Sequence, residues 1–226
     1  MAQRNALIVG ASRGLGLGLV ETFLARGWSV TATQRSPSPG LAAIASDALD
    51  LETADIDDDA AVAALHDRLG GRRFDLVFVV AGVATQAHDP LHLVPREVAA
   101  AVYLTNAVSP VRFAEAFRDR LAPGGLVAVM SSVLGSVGLN DSGGWENYRA
   151  SKAALNTLAR SFEIRHRDEG FGVALIHPGW VRTEMGGADA DIDVETSVNG
   201  VADVIEGRLG QTGCVYLDYT GKTLDW

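Results

Sequence analysis

The sequence predicts a single α/β domain over residues 1–226, built on a doubly wound, mostly parallel sheet of seven strands with helices on both faces. Strand and helix patterns alternate almost throughout the chain, as is typical of this fold class. Segments 74–82 and 124–132 are largely unbroken apolar runs, which are expected of strands buried on both faces of a parallel sheet. No internal repeat or linker divides the chain.

The first half of the chain begins with a strand, a glycine turn and a helix. Leu15, Leu19 and Phe23 have helical spacing, and Gly27 is a helix stop signal. An aspartate, Asp57 or Asp58, is placed to cap the next long helix. The predicted elements are strand 6–9, the first helix up to residue 27, strand 28–35, loop 36–40, strand 51–55 and helix 60–69.

The second half continues the alternation. Pro110 lies within a long helical region and predicts a kink or break there. The predicted elements are strand 74–82, helical region 95–121, strand 124–132, a glycine-rich loop 135–144, a helix through Tyr148 to about residue 169, strand 172–179, helix 195–209 and strand 213–218.

Composition and charge exclude several classes of partner. Hydrophobic residues make up 47% and charged residues 21% of the 226 residues, which indicates a folded, soluble protein. A net charge of -9 argues against nucleic acid and anionic membrane surfaces, since both require a basic patch. The single cysteine, Cys214, and the lack of a leader or membrane-length apolar segment predict a cytoplasmic protein with a small-molecule partner.

Three glycines lie where the first strand meets the first helix: Gly10, Gly14 and Gly16. Glycines allow a tight turn and a close backbone approach to a pyrophosphate, and the helix N-terminus offers free N–H groups. The ligand predicted here is a dinucleotide. At the end of the second strand stand Gln34 and Arg35 with no carboxylate, and Arg13 lies in the turn, so NADP is favoured over NAD. The alternative for each arginine is a side chain that only faces solvent.

Tyr148 and Lys152 are four residues apart on a predicted helix, so both side chains can enter one pocket. A nearby positive charge favours the phenolate and is expected to lower the pKa of the tyrosine. The serines Ser131 and Ser132 end the preceding strand. This set predicts an acid–base site, although a tyrosine packed over a lysine stem is the plainer interpretation of the pair alone.

Other titratable groups are predicted to have structural roles. The acidic run 55–59 fits a strand end and a helix N-terminus, where carboxylates suit the helix dipole. His177 is expected to pack at a strand end, and His88 and His92 have no matching third ligand, so no metal site is predicted. Aromatic and aliphatic residues around the site are candidates for a substrate pocket or for packing: Trp145, Trp180, Leu134, Val137 and Leu139.

The motifs together resemble the short-chain dehydrogenase/reductase family over essentially the whole chain. They occur in the family's order and with its separations: GASRGLG at Gly10, DIDD at Asp55, AG at Ala81, LTNAVSP around Asn106, MSS ending at Ser132, YRASK at Tyr148 and HPGWVRT at His177. The resemblance implies a Rossmann fold. The segments after Pro178 and at the end of the sequence are similar to the C-factor-like carbonyl reductase branch.

The resemblance also implies residue roles. Asn106, Ser132, Tyr148 and Lys152 match the family's catalytic tetrad, in which the tyrosine is the general acid, the serine orients the carbonyl and the asparagine holds a water in a proton relay. Ser132 is preferred to Ser131 because adjacent strand residues point to opposite faces and the second serine is the one that the family pattern uses. The expected cofactor contacts are Gly10, Ser12, Arg13, Gly14, Leu15, Gly16, Arg35, Asp55, Ile56, Ala81, Gly82, Tyr148, Lys152, Pro178, Gly179, Val181 and Thr183.

Two features depart from the family pattern. Val79 and Val80 stand where the family usually has two asparagines, so an amide that ties neighbouring strands is missing. The interval between Ser132 and Tyr148 is longer than is common in the family.

The sequence thus predicts an NADPH-dependent reductase of a ketone or aldehyde. The alternatives are an NAD-dependent alcohol dehydrogenase and a cofactor-binding signalling protein with little turnover. The substrate is expected to depend on loops 134–145 and 184–194. The resemblance implies a homodimer or homotetramer that pairs through regions 95–121 and 148–169.

Overall fold

The computed structural model describes residues 3–226 as one α/β domain with seven strands and seven α-helices. The strands are β1 (Asn5–Val9), β2 (Ser29–Gln34), β3 (Leu49–Thr53), β4 (Phe74–Val79), β5 (Leu121–Met130), β6 (Gly172–His177) and β7 (Gly213–Asp218). The helices are α1 (Gly14–Ala25), α2 (Pro39–Ala42), α3 (Asp59–Arg68), α4 (Arg96–Tyr103), α5 (Ser109–Phe117), α6 (Glu146–His166) and α7 (Val194–Arg208).

All seven strands are parallel, in the order β3-β2-β1-β4-β5-β6-β7. The fold class predicted from the sequence is therefore confirmed. The strand order reverses between β1 and β4, where Val9 is paired with Val79. In such sheets a crevice opens at this point, outside the carboxyl ends of the strands. The glycine turn follows β1 directly, so it lies at the mouth of that crevice.

The sheet separates two apolar cores. Helices α3, α5 and α6 pack on one face, where Phe113, Phe117 and Phe162 are fully or almost fully buried. Helices α1 and α7 pack on the other face around Phe23 and Trp28. Burial on both faces accounts for the unbroken apolar sequence of the central strands, and it holds the crevice edge on a rigid support.

The strands that lead to the crevice are shorter at their carboxyl ends than predicted. β4 ends at Val79 rather than residue 82, β5 at Met130 rather than 132, and β6 at His177 rather than 179. The predicted strands were too long because the apolar or small residues after each strand continue its sequence pattern. In the structure these residues lie at the crevice edge, outside the sheet. Both serines and Gly82 thus lie just beyond the sheet.

Two elements in the first half differ from the prediction. β3 lies two residues earlier than predicted, because residues 55–58 form a turn in which the Asp55 carboxylate accepts a hydrogen bond from the Asp57 amide over 3.0 Å. The predicted loop 36–40 contains the start of α2, whose N-cap is Ser38 and whose first residue is Pro39. Proline is favoured at that position because no N–H is needed there.

The helical region 95–121 is interrupted, as predicted, but the irregularity precedes Pro110. Residues Leu104–Val108 form a π-helical turn between α4 and α5. Pro110 is the second residue of α5, where its missing N–H costs no helical hydrogen bond. Among residues 3–226, no helix combines the length and the apolar character that crossing a bilayer requires.

Candidate active site

The glycine turn after β1 is too tightly packed for a side chain at two of its glycines. Gly10 has φ +87°, and a Cβ placed on it would lie 2.7 Å from the Cβ of Ala81. A Cβ on Gly16 would lie 2.2 Å from the backbone oxygen of Gly10. The predicted glycines therefore keep the chain compact between β1 and α1. Helix α1 begins at Gly14, and its N-cap, Arg13, provides no side-chain cap, so N–H groups at this end are left for a ligand.

The two valines that replace asparagines are accommodated by backbone hydrogen bonds. The carbonyl oxygen of Val9 accepts from the amides of Val80 and Ala81 over 2.9 and 3.1 Å. Val79 is buried in the core beside α5 and α6, and Val80 packs against the opposite core. Neighbouring strands β1 and β4 are thus tied at the crevice without a side-chain amide.

The arginines predicted to bind a phosphate are exposed and face carboxylates. Arg13 forms a 2.6 Å ion pair with Glu184, and Nη1 of Arg35 lies 3.9 Å from the carboxylate of Asp55. Glu184 and Asp55 are distant in sequence from the end of β2, so the residues at that strand end did not reveal these two carboxylates. Ile56, beside Asp55, is buried.

Asn106 lies in the π-helical turn and is completely buried. Its amide nitrogen donates to the Val83 carbonyl over 2.8 Å and to the Ser151 hydroxyl over 3.0 Å, and its oxygen accepts from the Val83 amide over 2.8 Å. A Cβ on Gly82 would lie 3.2 Å from that oxygen and 3.5 Å from Nζ of Lys152. Gly82, Asn106 and Lys152 therefore meet at one point. π-Helical turns are frequent at functional sites.

Ser132, Tyr148 and Lys152 are also brought together. Nζ of Lys152 lies 5.7 Å from the centre of the Tyr148 ring and donates to the Met130 carbonyl over 2.8 Å. Burial raises the pKa of Tyr148 to about 12, against the opposing effect of its interaction with the Ser132 hydroxyl. Burial lowers the pKa of Lys152 to about 8.

The expected lowering of the Tyr148 pKa by Lys152 is therefore wrong for this structure. Removal of the phenol from water opposes the charged form, and the Lys152 ammonium, which donates to the Met130 carbonyl, is not among the groups that lower the pKa of Tyr148. At neutral pH Tyr148 keeps its proton, so the arrangement holds a proton donor beside a serine hydroxyl.

The two serines have different surroundings. The Ser131 hydroxyl donates to the Asn156 side chain over 2.6 Å, and Asn156 in turn donates to the Gly135 carbonyl over 3.4 Å. The Ser132 hydroxyl accepts the Leu134 amide over 3.2 Å and interacts with Tyr148. Ser131 is thus committed to supporting the turn, and the geometry favours Ser132 as the serine beside the acid.

The segment after β6 closes the other side of the crevice. Pro178 is held by the Ser197 hydroxyl, which donates to its carbonyl over 2.6 Å, and Gly179 has φ +86°. Val181 is bridged to Ile192, and a methyl of Thr183 lies 3.8 Å from where a Cβ of Gly14 would stand. Of the predicted residues after β6, Thr183 therefore lies opposite the glycine turn.

The tryptophans and histidines around the site differ in what they contact: one tryptophan packs against Tyr148, and the other holds the segment after β6. Trp145 packs edge-on against Tyr148 and against His88, with ring centres 5.7 and 4.4 Å apart. Trp180 is half exposed and donates to the Gly186 carbonyl, so it braces the segment after β6. Burial lowers the pKa of His177 to about 4, so this residue is neutral at pH 7.

Residues 3–226 contain no group of three or more His, Cys, Asp or Glu side chains arranged to hold a metal ion. The acidic run instead forms the end of the β3 turn and the start of α3. Asp58 caps α3 by accepting the amides of Ala60 and Ala61 over 2.9 and 3.2 Å.

Four residues support the site through contacts that no sequence pattern predicted: Asp57, Asn156, Glu184 and Tyr216. Each acts through a partner at least 25 residues away along the chain. Only the folded chain reveals them.

The model of the family described as short chain dehydrogenase matches residues 4–192. The chain belongs to the short-chain dehydrogenase family. The C-signal protein of Myxococcus xanthus is 41% identical over 129 residues, which are 56% of this chain and 78% of that protein.

Solved structures of the same family superpose closely on this short-chain dehydrogenase. A short-chain dehydrogenase/reductase from Burkholderia multivorans with bound NADP is 42% identical, with a TM-score of 0.97 and complete coverage of both chains. A carbonyl reductase from Pseudomonas aeruginosa in complex with NADP is 42% identical, with a TM-score of 0.92 and complete coverage of both. The chain is therefore a short-chain dehydrogenase/reductase enzyme, and its predicted likeness to the C-factor-like carbonyl reductase branch is confirmed.

Proposed function

We propose that this enzyme reduces a ketone or aldehyde to an alcohol with NADPH. The observation that carries the proposal is the meeting of Ser132, a protonated Tyr148 and Lys152 at the crevice edge, opposite the glycine turn. A reductase requires a proton donor at this place, and the raised pKa of Tyr148 supplies one at neutral pH.

The crevice fits a dinucleotide. At Gly10 and Gly16 a side chain would collide with neighbouring backbone or Ala81, so these two positions stay without one, and the N-terminal end of α1 carries no side-chain cap. The residues that would hold the cofactor are the predicted contacts around Gly10, Asp55, Gly82 and Gly179. Two exposed guanidiniums, Arg13 and Arg35, suit a 2′-phosphate, and the two relatives described above hold NADP.

When bound, the nicotinamide cofactor supplies the hydride. Ser132 orients the substrate by donating a hydrogen bond to the carbonyl oxygen. Tyr148 transfers its phenolic proton to that oxygen as the alcohol forms. Lys152, whose ammonium is held on the Met130 carbonyl, is placed to bind the nicotinamide ribose, as the family resemblance implies, and Asn106 holds the backbone at Val83 beside this lysine. With a pKa raised to about 12, Tyr148 is protonated at neutral pH, the form that a general acid in carbonyl reduction requires.

A panel of ketones and aldehydes, assayed separately with NADPH and NADH, tests the proposal. We expect turnover with NADPH, weaker turnover with NADH, and loss of at least about 100-fold in kcat for Tyr148→Phe, the size of a general acid contribution. The phenylalanine variant should still bind NADPH, measured by the quenching of tryptophan fluorescence. Undiminished reduction by Tyr148→Phe would remove Tyr148 from the mechanism.

The similarity to C-signal supports a second candidate, a cofactor-binding signalling protein with little turnover. The complete set of Asn106, Ser132, Tyr148 and Lys152 favours the enzyme. The same panel separates the two, because NADPH binding without turnover of any carbonyl compound is the result expected of a signalling protein.

We also propose a homodimer or homotetramer that pairs through the helical regions 95–121 and 148–169. Leu104 and Ile164, one on each region, are 49% and 48% exposed, which suits an apolar contact between copies. Light scattering of the wild type and of Leu104→Asp tests this, since the substitution should shift the mass toward the monomer.

A further inference from the structure

The Ser132 backbone is held from three directions. Its carbonyl oxygen accepts the Gly135 amide over 2.8 Å, which closes a short 3₁₀ turn, Val133–Gly135. The same oxygen accepts a hydrogen bond from the hydroxyl of Tyr216 in β7. The neighbouring Ser131 is bonded to Asn156 of α6. Two elements distant in sequence thus converge on the serine pair, α6 on Ser131 and β7 on Ser132.

Tyr216 is well placed to be rigid. It is 1% exposed, and its backbone is paired with Leu175 in the sheet. The ring of Trp226 covers it with ring centres 5.6 Å apart, and the Arg160 guanidinium lies 5.2 Å from the Trp226 ring. A buried tyrosine hydroxyl needs an acceptor. Here that acceptor is the backbone of Ser132, whose hydroxyl reaches Tyr148.

We propose that Tyr216 is a positioning residue that fixes the Ser132 turn, so that the Ser132 hydroxyl meets both the substrate carbonyl and Tyr148. The inference rests on the proposed carbonyl reductase function. The proposed route runs through the hydrogen bond from the Tyr216 hydroxyl to the Ser132 carbonyl, and that route separates Tyr216 from a residue needed only for folding.

The variant Tyr216→Phe removes the hydroxyl and keeps the ring. We expect kcat for carbonyl reduction to fall about 5- to 10-fold, the equivalent of one hydrogen bond, with the KM for NADPH unchanged. The control is Tyr103→Phe, which removes the hydroxyl of an exposed tyrosine on α4. This variant should behave as the wild type. A double-mutant cycle with Ser132→Ala then decides the route of the effect.

If Tyr216 acts through Ser132, Tyr216→Phe costs nothing further in the Ser132→Ala background. An equal, additive loss in that background overturns the proposal. Trp226→Leu, which uncovers the ring but keeps the hydroxyl, should show the same cycle with a smaller loss, and it serves if Tyr216→Phe folds poorly.

Hydrogen exchange provides a measurement that does not depend on activity. The amides of Leu134 and Gly135 bond to Ser132 and should exchange faster in Tyr216→Phe, whereas those in the middle of β5 should not change. Unchanged exchange at Leu134 and Gly135 overturns the positioning role even if the wild type reduces no carbonyl compound. An inactive wild type with faster exchange in the variant would refute the proposed function alone.

Discussion

Nζ of Lys152 donates a hydrogen bond to the backbone carbonyl of Met130 over 2.8 Å, at the end of the strand that leads to Ser132. Within residues 3–226 this is the one hydrogen bond of the ammonium, and the side chain is 3% exposed. The lysine therefore carries a nearly unpaired charge in the interior, and this explains why burial lowers its pKa to about 8.

Removal of this charge should stabilise the protein. Lys152→Met is expected to raise the free energy of unfolding at pH 7 by about 2 kcal/mol, because the desolvation of the ammonium exceeds the value of one hydrogen bond. The same variant should lose carbonyl reduction. Urea unfolding measures the stability, and Lys222→Met, which alters an exposed lysine, is the control.

The stability difference should depend on pH. Between pH 8 and 10.5 the unfolded lysine binds more protons than the folded one, so the wild type gains stability relative to Lys152→Met as the pH rises. The difference in unfolding free energy between the wild type and Lys152→Met should therefore become smaller from pH 8 to pH 10.5. A gap of equal size at pH 7 and pH 10.5 would show that desolvation is not its cause.

Gly10 should tolerate a side chain far less well than Gly27. Both have positive φ, +87° and +80°, so alanine strains each backbone by about 1–2 kcal/mol. A Cβ on Gly10 also meets Ala81 at 2.7 Å, whereas nothing lies within 4 Å at Gly27. Gly10→Ala should therefore be the less stable variant in thermal unfolding and should lose NADPH binding, which Gly27→Ala retains. Equal stability of the two would contradict the close packing of the turn.

Asp57 should support Asn106. Its carboxylate accepts the hydroxyls of Thr105 and Ser109, both over 2.6 Å, and these residues stand on either side of Asn106 along the chain. Asp57→Ala is expected to cost about 1–2 kcal/mol in unfolding free energy and several-fold in kcat. Asp59→Ala, in the same acidic run but paired with Arg112 at the surface, should leave kcat unchanged. Comparable losses of kcat in both variants would refute a specific role for Asp57.

Glu184 should weaken cofactor binding. Its carboxylate forms an ion pair with the Arg13 guanidinium at 2.6 Å, so a 2′-phosphate has to compete with Glu184 for this arginine. Glu184→Gln is expected to tighten NADPH binding about 3- to 5-fold at low ionic strength, the range of an exposed ion pair, with a smaller effect in 0.5 M salt, where charges are screened over roughly 4 Å. Glu195→Gln makes the same charge change on an exposed side chain of α7 and should not alter the Kd. NADH affinity should be unaffected in both.

The sequence predicted the sheet and the glycine turn because their signals are local. Unbroken apolar runs indicate strands that are buried on both faces of the sheet. Gly10 and Gly16 indicate close backbone packing that leaves no space for a side chain. The position of α6 followed from helical spacing around Tyr148. Each of these features depends on residues that are close together along the chain.

The sequence could not show what depends on packing between distant segments. The π-helical turn at Asn106 has no pattern of its own, and it is held by Asp57 from the turn between β3 and α3. The pKa of Tyr148 is raised because folding removes the phenol from water, an effect that the spacing of Tyr148 and Lys152 could not show, so spacing alone predicted the wrong direction. The pairing of Arg13 with Glu184 likewise spans 171 positions of the chain.

The loop between the Ser132 turn and α6 has a use in protein engineering. In the described structure, the hydrogen bonds of residues 137–144 stay within segment 136–149, through groups such as Ser136, Asn140 and Arg149. Its exit is anchored separately by Glu146, which accepts the Leu91 amide over 2.9 Å. The loop is therefore an exchangeable cassette, and libraries confined to residues 137–144 should change which carbonyl compounds are accepted while the melting temperature stays close to that of the parent.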